Sequence, residues 1–370
     1  MRFLLIIFFI VGCQNSNKNI SIDSLIDDVK AIHAPDKRVA LFDINYSEND
    51  NSIIINGETN KLEAKNDLLL KLDSAGLSYS DNINVLPKDK LYGIINNSVG
   101  NLRGKPSHSS ELVSQTLFGT RVNVLKKKGE WYLIQTPDEY ISWIDHGGIS
   151  IVSESDFNNY YKNSYIFSSI QGFAYTSTKK ESIVSDLVVG SILNIIDREN
   201  NFYKIEYPDK RIGWVEDTDV SKIFNSKNKT ELDIINNSKK FIGVPYLWGG
   251  TSSKGFDCSG FTKTIYLMNG LVIPRDASQQ INEGLLVDEN RNWNNLNKGD
   301  LMFFGYYKDG KRRIDHVAIW IGNGQFIQAS KNVRINSVNS DDPLYDKYHM
   351  EKYIESRRII GYQTDRIKKL

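Results

Sequence analysis

The sequence predicts an α+β protein in which two small all-β units precede a C-terminal domain that mixes helices with strands. Three observations predict it. The stretch Val113 to Asp145 returns as Val184 to Glu216, offset by 71 residues without a gap and with ten of 33 positions identical. A Gly-rich loop turns abruptly into a helix-like pattern between Pro245 and Gly270. Two apolar, strand-like runs flank Asn323-Gly324, a dipeptide suited to a tight hairpin.

A chain of 370 residues exceeds one ordinary core, so two or three domains are expected. Hydrophobic residues make up 40% and charged residues 25%, which excludes extensive disorder and multi-span membrane classes. The balance of 46 basic and 45 acidic residues leaves +1, so no general field attracts nucleic acid, and no nucleic-acid partner is expected.

The N-terminus puts Arg2 ahead of an apolar run from Phe3 to Val11, then Gly12 and Cys13. This run is far shorter than the roughly 20 residues that span a bilayer, so it reads as an export signal rather than a membrane helix. Ile10-Val11-Gly12-Cys13 resembles a bacterial lipobox, which implies cleavage of residues 1–12 and lipidation of Cys13. Residues 13–19 then form a tether, and the expected location is the cell envelope, lipid-anchored to a bacterial membrane. Cys13 and Cys258 are the two cysteines; with the first lipidated, the second stays unpaired in an oxidising compartment and needs a reason to be there.

Residues 20–91 read as a small α/β lead-in, with helices at Ser21 to Ile32 and Leu62 to Leu77 and a strand at Ser52 to Ile55. The repeats are placed at 92–152 and 160–226. Each alternates apolar and polar residues in short runs such as Arg121 to Leu125 and Trp131 to Gln135, with Pro-Asp turns between later runs. Core packing is the reading for Trp143 and Trp214. After the polar linker from Asn225 to Lys229, residues 230–370 form the third domain. Thr230 and Asp233 suit the N-cap of a helix whose apolar stripe is Leu232, Ile235, Phe241 and Ile242, stopped by Gly243.

Cys258 sits where loop becomes helix, between the cap-type residues Asp257 and Ser259, with Phe261, Ile265 and Met268 facing inward. A cysteine at a helix N-terminus meets unpaired N–H groups and the positive end of the dipole, which favour thiolate over thiol and suit an oxyanion. Such a nucleophile needs a base. Of the five histidines, His33, His108, His146 and His349 lie in polar or boundary segments, while His316 opens a strand-like run 58 residues after Cys258. Gln328, polar within an apolar run, is the candidate to accept the other imidazole N–H. A two-residue Asn323-Gly324 turn would put His316 and Gln328 on opposite faces, so a three-residue loop or an equivalent bulge is expected.

The Gly, aromatic, Pro-Asp and Gly/Ser-Trp order of the repeats resembles bacterial SH3 (SH3b) domains. From Tyr246 to Ser330, the pattern YxWGGxxxxGxDCSGF, PRDxxxQ, GDLxFF and DHVAIWIGNGxFIxAS resembles the NlpC/P60 family. That resemblance implies a papain-like C-terminal fold, Cys258 and His316 as catalytic pair and a third polar residue at Gln328. The family commonly has histidine there, so Gln328 departs from the pattern. The whole arrangement resembles γ-D-glutamyl-L-diamino acid endopeptidases, which cut wall (murein) peptides bearing a free N-terminal L-Ala. For that subgroup the resemblance implies an amine pocket made by Glu111, Tyr140 and Asp276. Tyr246, Trp248, Asp257, Ser259 and Arg275 join the substrate-binding set around the cleft. No metal or cofactor is expected, and the chain is expected to be monomeric. Two other readings stay open: a non-catalytic peptidoglycan-binding lipoprotein, and a thiol acyltransferase or amidase of the same fold.

Overall fold

The computed structural model describes residues 21–49, 52–222, 230–362 and 364–369. The export signal, Cys13, the tether and the polar linker at Asn225 to Lys229 lie outside the described residues. The chain divides into two compact units, Met1–Val85 and Leu86–Leu370.

The first unit contains α1 (Ile22–His33), the hairpin β1 (Phe42–Asn49) and β2 (Ser52–Thr59), α2 (Leu62–Ser74) and β3 (Tyr79–Val85). β3 runs parallel to β2, with α2 as the crossover. Val29, Ile55, Ala64, Leu68 and Leu72 are wholly buried at its centre. α2 ends short of Leu77 because Gly76 takes the left-handed φ of +69° and the Leu77 N–H turns back to the Leu72 carbonyl.

The second unit opens with two sheets of seven strands each. In the first, β4 (Leu91–Ile95), β5 (Val99–Arg103), β6 (Leu112–Leu117), β7 (Arg121–Lys128), β8 (Trp131–Gln135), β9 (Ile141–Asp145) and β10 (Ile149–Val152) follow the order β10-β4-β7-β8-β9-β5-β6. After α3 (Glu154–Asn159) come β11 (Ser164–Phe167), β12 (Gln171–Tyr175), β13 (Ile183–Val188), β14 (Ile192–Glu199), β15 (Phe202–Glu206), β16 (Ile212–Glu216) and β17 (Val220–Lys222). They repeat the same order strand for strand. The 71-residue offset holds at fine grain: the β7–β8 ladder slips between Val124 and Lys126, and the β14–β15 ladder slips between Ile195 and Asp197. Glu139 and Lys210, one residue after each Pro-Asp, share positive φ values of 69° and 72°. Trp143 and Trp214 are only half-buried, contrary to the core packing expected. Their strands alternate, so Ser142 and Ile144, or Gly213 and Val215, take the inward positions while each indole lies outside under a lysine, Lys126 or Lys204.

The C-terminal domain begins with α4 (Glu231–Lys239), where the Thr230 N–H donates to Asp233 over 2.6 Å. Its buried face is Ile234, Ile235 and Ser238, with Phe241 just beyond; Leu232 and Ile242 are exposed, so the expected stripe is off by part of a turn. The short hairpin β18 (Thr251–Ser252) and β19 (Gly255–Phe256) leads into α5 (Cys258–Met268). Then follow β20 (Leu271–Val272), α6 (Ala277–Gln280), β21 (Leu285–Asp288), β22 (Leu301–Lys308), β23 (Lys311–Gly322), β24 (Gln325–Ser330), β25 (Asn332–Ser337), α7 (Lys347–Glu351), β26 (Tyr353–Arg358) and β27 (Lys368–Lys369). Six strands make one sheet, ordered β21-β26-β22-β23-β24-β25, and α5 packs across β23 and β24. Phe261 and Ile265 of α5 are buried with Phe303, Val317, Ile319 and Ile327 of the sheet.

The first SH3-like sheet is bonded to this domain. Gln115 on β6 accepts from the Thr251 N–H at 3.0 Å and the Ser252 hydroxyl at 3.1 Å, while the Thr251 hydroxyl donates to its carbonyl at 3.0 Å. At Gly249, φ is +79° and a Cβ would stand 2.3 Å from the Leu112 carbonyl oxygen of β6. Gly249→Ala is therefore expected to lower the thermal midpoint by several degrees, combining left-handed strain of about 1–2 kcal/mol with a backbone clash. Gly129→Ala, also left-handed at φ +57° but with nothing among the described residues within 4 Å, isolates the strain and is expected to cost less in the same melting experiment.

Candidate active site

α5 begins at the sequence-predicted junction because Asp257 caps it: one carboxylate oxygen accepts from the Gly260 N–H at 2.7 Å. The cap places Cys258 in the first turn, buried, with its sulfur facing the backbone N–H groups of Val317 and Ser259. Burial comes first and the Asp257 carboxylate second in pushing the thiol up to about 12; those N–H groups and Arg275 only partly offset them. Burial and that carboxylate favour the neutral thiol, against the pull of the helix terminus toward thiolate.

Val317 follows His316, so the backbone N–H that β23 turns toward the Cys258 sulfur belongs to the residue next to the imidazole. The hairpin register decides which way His316 faces. The turn is the two-residue Asn323-Gly324 with φ values of 55° and 73°, but the ladder slips between Trp320 and Gly322, so Ile321 bulges. That extra residue restores the parity that a two-residue turn alone would break, and His316 Nε2 lies 2.6 Å from Gln328 Oε1. Gln328 is wholly buried, and its Nε2 donates to Asn336 Oδ1 at 2.9 Å and to Asp346 Oδ2 at 2.8 Å. Burial, then neighbouring His349, lowers His316 to about 3 against the opposing pull of the Gln328 bond and the Asp346 carboxylate. Burial thus favours the uncharged form of both groups, thiol and neutral imidazole.

Behind Cys258 lies a closed polar cluster. Arg275 is 1% exposed; it donates to both Asp257 oxygens at 3.1 and 2.6 Å, to the Ser259 hydroxyl at 2.9 Å and to the Ser114 hydroxyl of β6 at 2.9 Å. Its guanidinium, expected in the substrate-binding set, is buried and paired with Asp257, Ser259 and Ser114. Asp257 also accepts from the Gly249 N–H at 3.0 Å. Burial opposes the Arg275 charge, yet the Asp257 contact outweighs it and raises the guanidinium further.

The remaining expected residues border this cluster. Trp248 is 63% exposed, and its indole N–H donates to Glu111 Oε1 at 2.8 Å, joining the peptidase-like domain to the loop before β6. Tyr140 is buried and close enough to Arg275 to act on its charge. Asp276 caps α6, reciprocally bonded with Gln279, and lies 3.8 Å from Arg275. Tyr246 is half-buried; burial, then the Cys258 sulfur, push its phenol up.

Sequence reasoning set His349 aside as a boundary residue and passed over Asp346 and Asn336. His349 is buried, its ring centroid 4.3 Å from that of His316, and its Nδ1 lies 2.7 Å from Asp346 Oδ2. An Asp followed three residues later by His at a helix start was the available signal.

Three matches to known families partition the second unit. Residues 243–358 match the NlpC/P60 family, residues 98–150 the bacterial SH3 domain, and residues 152–221 the GW (Gly-Tryp) dipeptide domain. The chain is 30% identical over 267 residues to a Gamma-D-glutamyl-L-lysine dipeptidyl-peptidase of Bacillus cereus, covering 69% of this chain and 77% of that protein. It is 31% identical over 245 residues to the Bacillus subtilis protein of the same name, covering 63% and 78%. The crystal structure of an NlpC/P60 family protein from Bacillus cereus superposes with a TM-score of 0.62 at 26% identity, covering 72% of this chain and 99% of that one. A thiol at the start of the helix that Asp257 caps and an imidazole held by Gln328 thus occur in a chain that shares sequence and fold with these proteins along most of their length: it belongs to the NlpC/P60 family of cysteine peptidases.

Proposed function

We propose that the chain cleaves the γ-D-glutamyl to diamino-acid bond of cell-wall peptides that carry a free N-terminal L-Ala, with Cys258 as nucleophile and His316 as base. The observation that carries this is the buried Cys258 sulfur facing the N–H of Val317, the residue after His316, whose imidazole Gln328 holds. The relatives named for a γ-D-glutamyl-L-lysine bond support the substrate class.

Because both groups rest neutral, proton transfer accompanies attack rather than preceding it. The Cys258 sulfur attacks the γ-carbonyl carbon as its proton passes to His316. The imidazolium gives that proton to the departing amine, leaving a thioester. Water, deprotonated by His316, attacks the thioester, and the thiol recovers its proton as the carboxylic product leaves. The backbone N–H groups at the start of α5 face the developing oxyanion.

Glu111, Tyr140 and Asp276 are the proposed amine pocket. Glu111 precedes Ser114, the barrel's bond to Arg275, while Tyr140 and Asp276 border the same guanidinium. Two carboxylates there favour a free ammonium and disfavour a peptide whose N-terminus is attached to sugar. A cell-wall hydrolase with bacterial SH3 domains works in the envelope or outside the cell, and we place its lipid anchor at Cys13. No helix among the described residues is long and apolar enough to cross a membrane.

Mass spectrometry of L-Ala-γ-D-Glu-diaminopimelate incubated with protein lacking residues 1–12 is expected to show release of L-Ala-D-Glu. Cys258→Ala is expected to release none, and cleavage by that variant would remove the thiol mechanism. Loss of all cleavage by the unmutated protein would favour a wall-binding role. Glu111→Gln is expected to raise KM about tenfold, roughly 1.4 kcal/mol, with kcat little changed; equal cleavage of the N-acetylated peptide would eliminate the amine pocket. Burial and His349 both disfavour the imidazolium, so His316 remains a free base well below its ordinary value. The acid limb of kcat/KM assigned to it is expected well below 6.5, and a limb at the ordinary value would overturn the neutral imidazole.

A further inference from the structure

A neutral amide beside a catalytic imidazole poses a problem that a carboxylate does not. If its carbonyl faces the ring, it accepts an N–H; rotated by half a turn, it offers an N–H instead and demands the other tautomer. Only the first arrangement leaves Nδ1 of His316 as a lone-pair nitrogen, since Nε2 is the atom beside Gln328.

The surroundings of Gln328 settle the orientation. Its other end faces Asp346 Oδ2 at 2.8 Å and Asn336 Oδ1 at 2.9 Å. The Asn336 amide has its own direction fixed, because its Nδ2 donates to the Leu344 carbonyl at 3.2 Å, which leaves Oδ1 for Gln328. Burial works against ionisation of Asp346, but bonds from the His349 side chain and backbone outweigh it and lower the carboxyl to about 2. Asp346 is thus acceptor only. One oxygen accepts the His349 N–H at 3.2 Å and caps α7; the other receives Gln328 Nε2 and His349 Nδ1. His349 in turn lies against the His316 ring.

We propose that Asp346 is a positioning residue for the cysteine–histidine pair: by holding the Gln328 amide with its carbonyl toward His316, it fixes the Nε2–H tautomer and leaves Nδ1 as the basic nitrogen. This rests on the reading of His316 as base. It also accounts for a glutamine at this position, since the negative charge that Gln328 lacks stands one hydrogen bond further away. The charged or titratable groups acting on His316 are His349, Asp346 and Lys352.

The test uses the chain without residues 1–12. In the Cys258→Ala protein, long-range 1H–15N NMR of labelled histidine is expected to show His316 as the Nε2–H tautomer; an Nδ1–H tautomer overturns the proposal. Asp346→Asn can still cap α7 through its oxygen but turns its NH2 on Gln328. It is expected to reverse the tautomer and, with Cys258 present, to lower kcat about 100-fold while KM stays within about twofold. Adding Gln328→Glu, which accepts from both sides, is expected to recover at least tenfold of that kcat. An unchanged tautomer and kcat in Asp346→Asn, or no recovery in the double variant, overturns the proposal. The NMR readout needs no turnover, so it separates this failure from failure of the peptidase reading, which shows as absent cleavage by the unmutated protein. If Asp346→Asn does not fold, the tautomer in the Cys258→Ala protein still decides.

Discussion

The buried pairing of Arg275 with Asp257 is the interaction on which the rest of the site depends. The carboxylate serves as the cap of α5, the acceptor for the Gly249 N–H and the counter-charge of the guanidinium. The guanidinium continues to Ser259 beside Cys258 and to Ser114 in the first barrel. Removing one partner of such a pair leaves a charge in a dry interior, a cost of about 3–5 kcal/mol. One ion pair thereby couples the start of α5, the loop carrying Trp248 and the docking of another domain. The barrel is consequently not an appendage: without it Arg275 would lose an acceptor and Thr251 and Ser252 would lose Gln115.

The electrostatics of the pair follow from the depth of this arrangement. Burial is the leading influence on both groups and pushes them in opposite directions, each toward its uncharged form. The sequence places Cys258 at a helix N-terminus, and that placement holds. It does not reveal how much water the fold removes from the sulfur or that the Asp257 cap puts a negative charge beside it. The dipole argument considered one contribution to the thiol, and the folded site has several.

What was legible in the sequence was local or periodic. The repeat offset carries through to strand limits and even a bulge, because turns and alternation are set by neighbouring residues. Cys258 at the loop-to-helix change and the parity of His316 with Gln328 were readable for the same reason. The half-buried Trp143 and Trp214 show the limit: alternation says that two faces exist, and packing decides which is inside. Asp346 and His349 were not legible. They approach Gln328 and His316 across separations that no spacing rule relates, and a histidine near a helix start in a polar stretch looks like surface until the sheet closes over it. Arg275 was seen as part of a motif, but its isolation from solvent is a property of the assembled domains.

The neutral, enclosed state of Cys258 bears on how the protein lasts where it works. Oxidation by peroxide and exchange with foreign disulfides both begin from a thiolate that solvent can reach. In the envelope or outside the cell an unpaired cysteine is exposed to such chemistry for the lifetime of the protein. A sulfur buried as a thiol withholds that reactivity from reagents in solvent. The burial that pushes the Cys258 thiol up also shields it from oxidants.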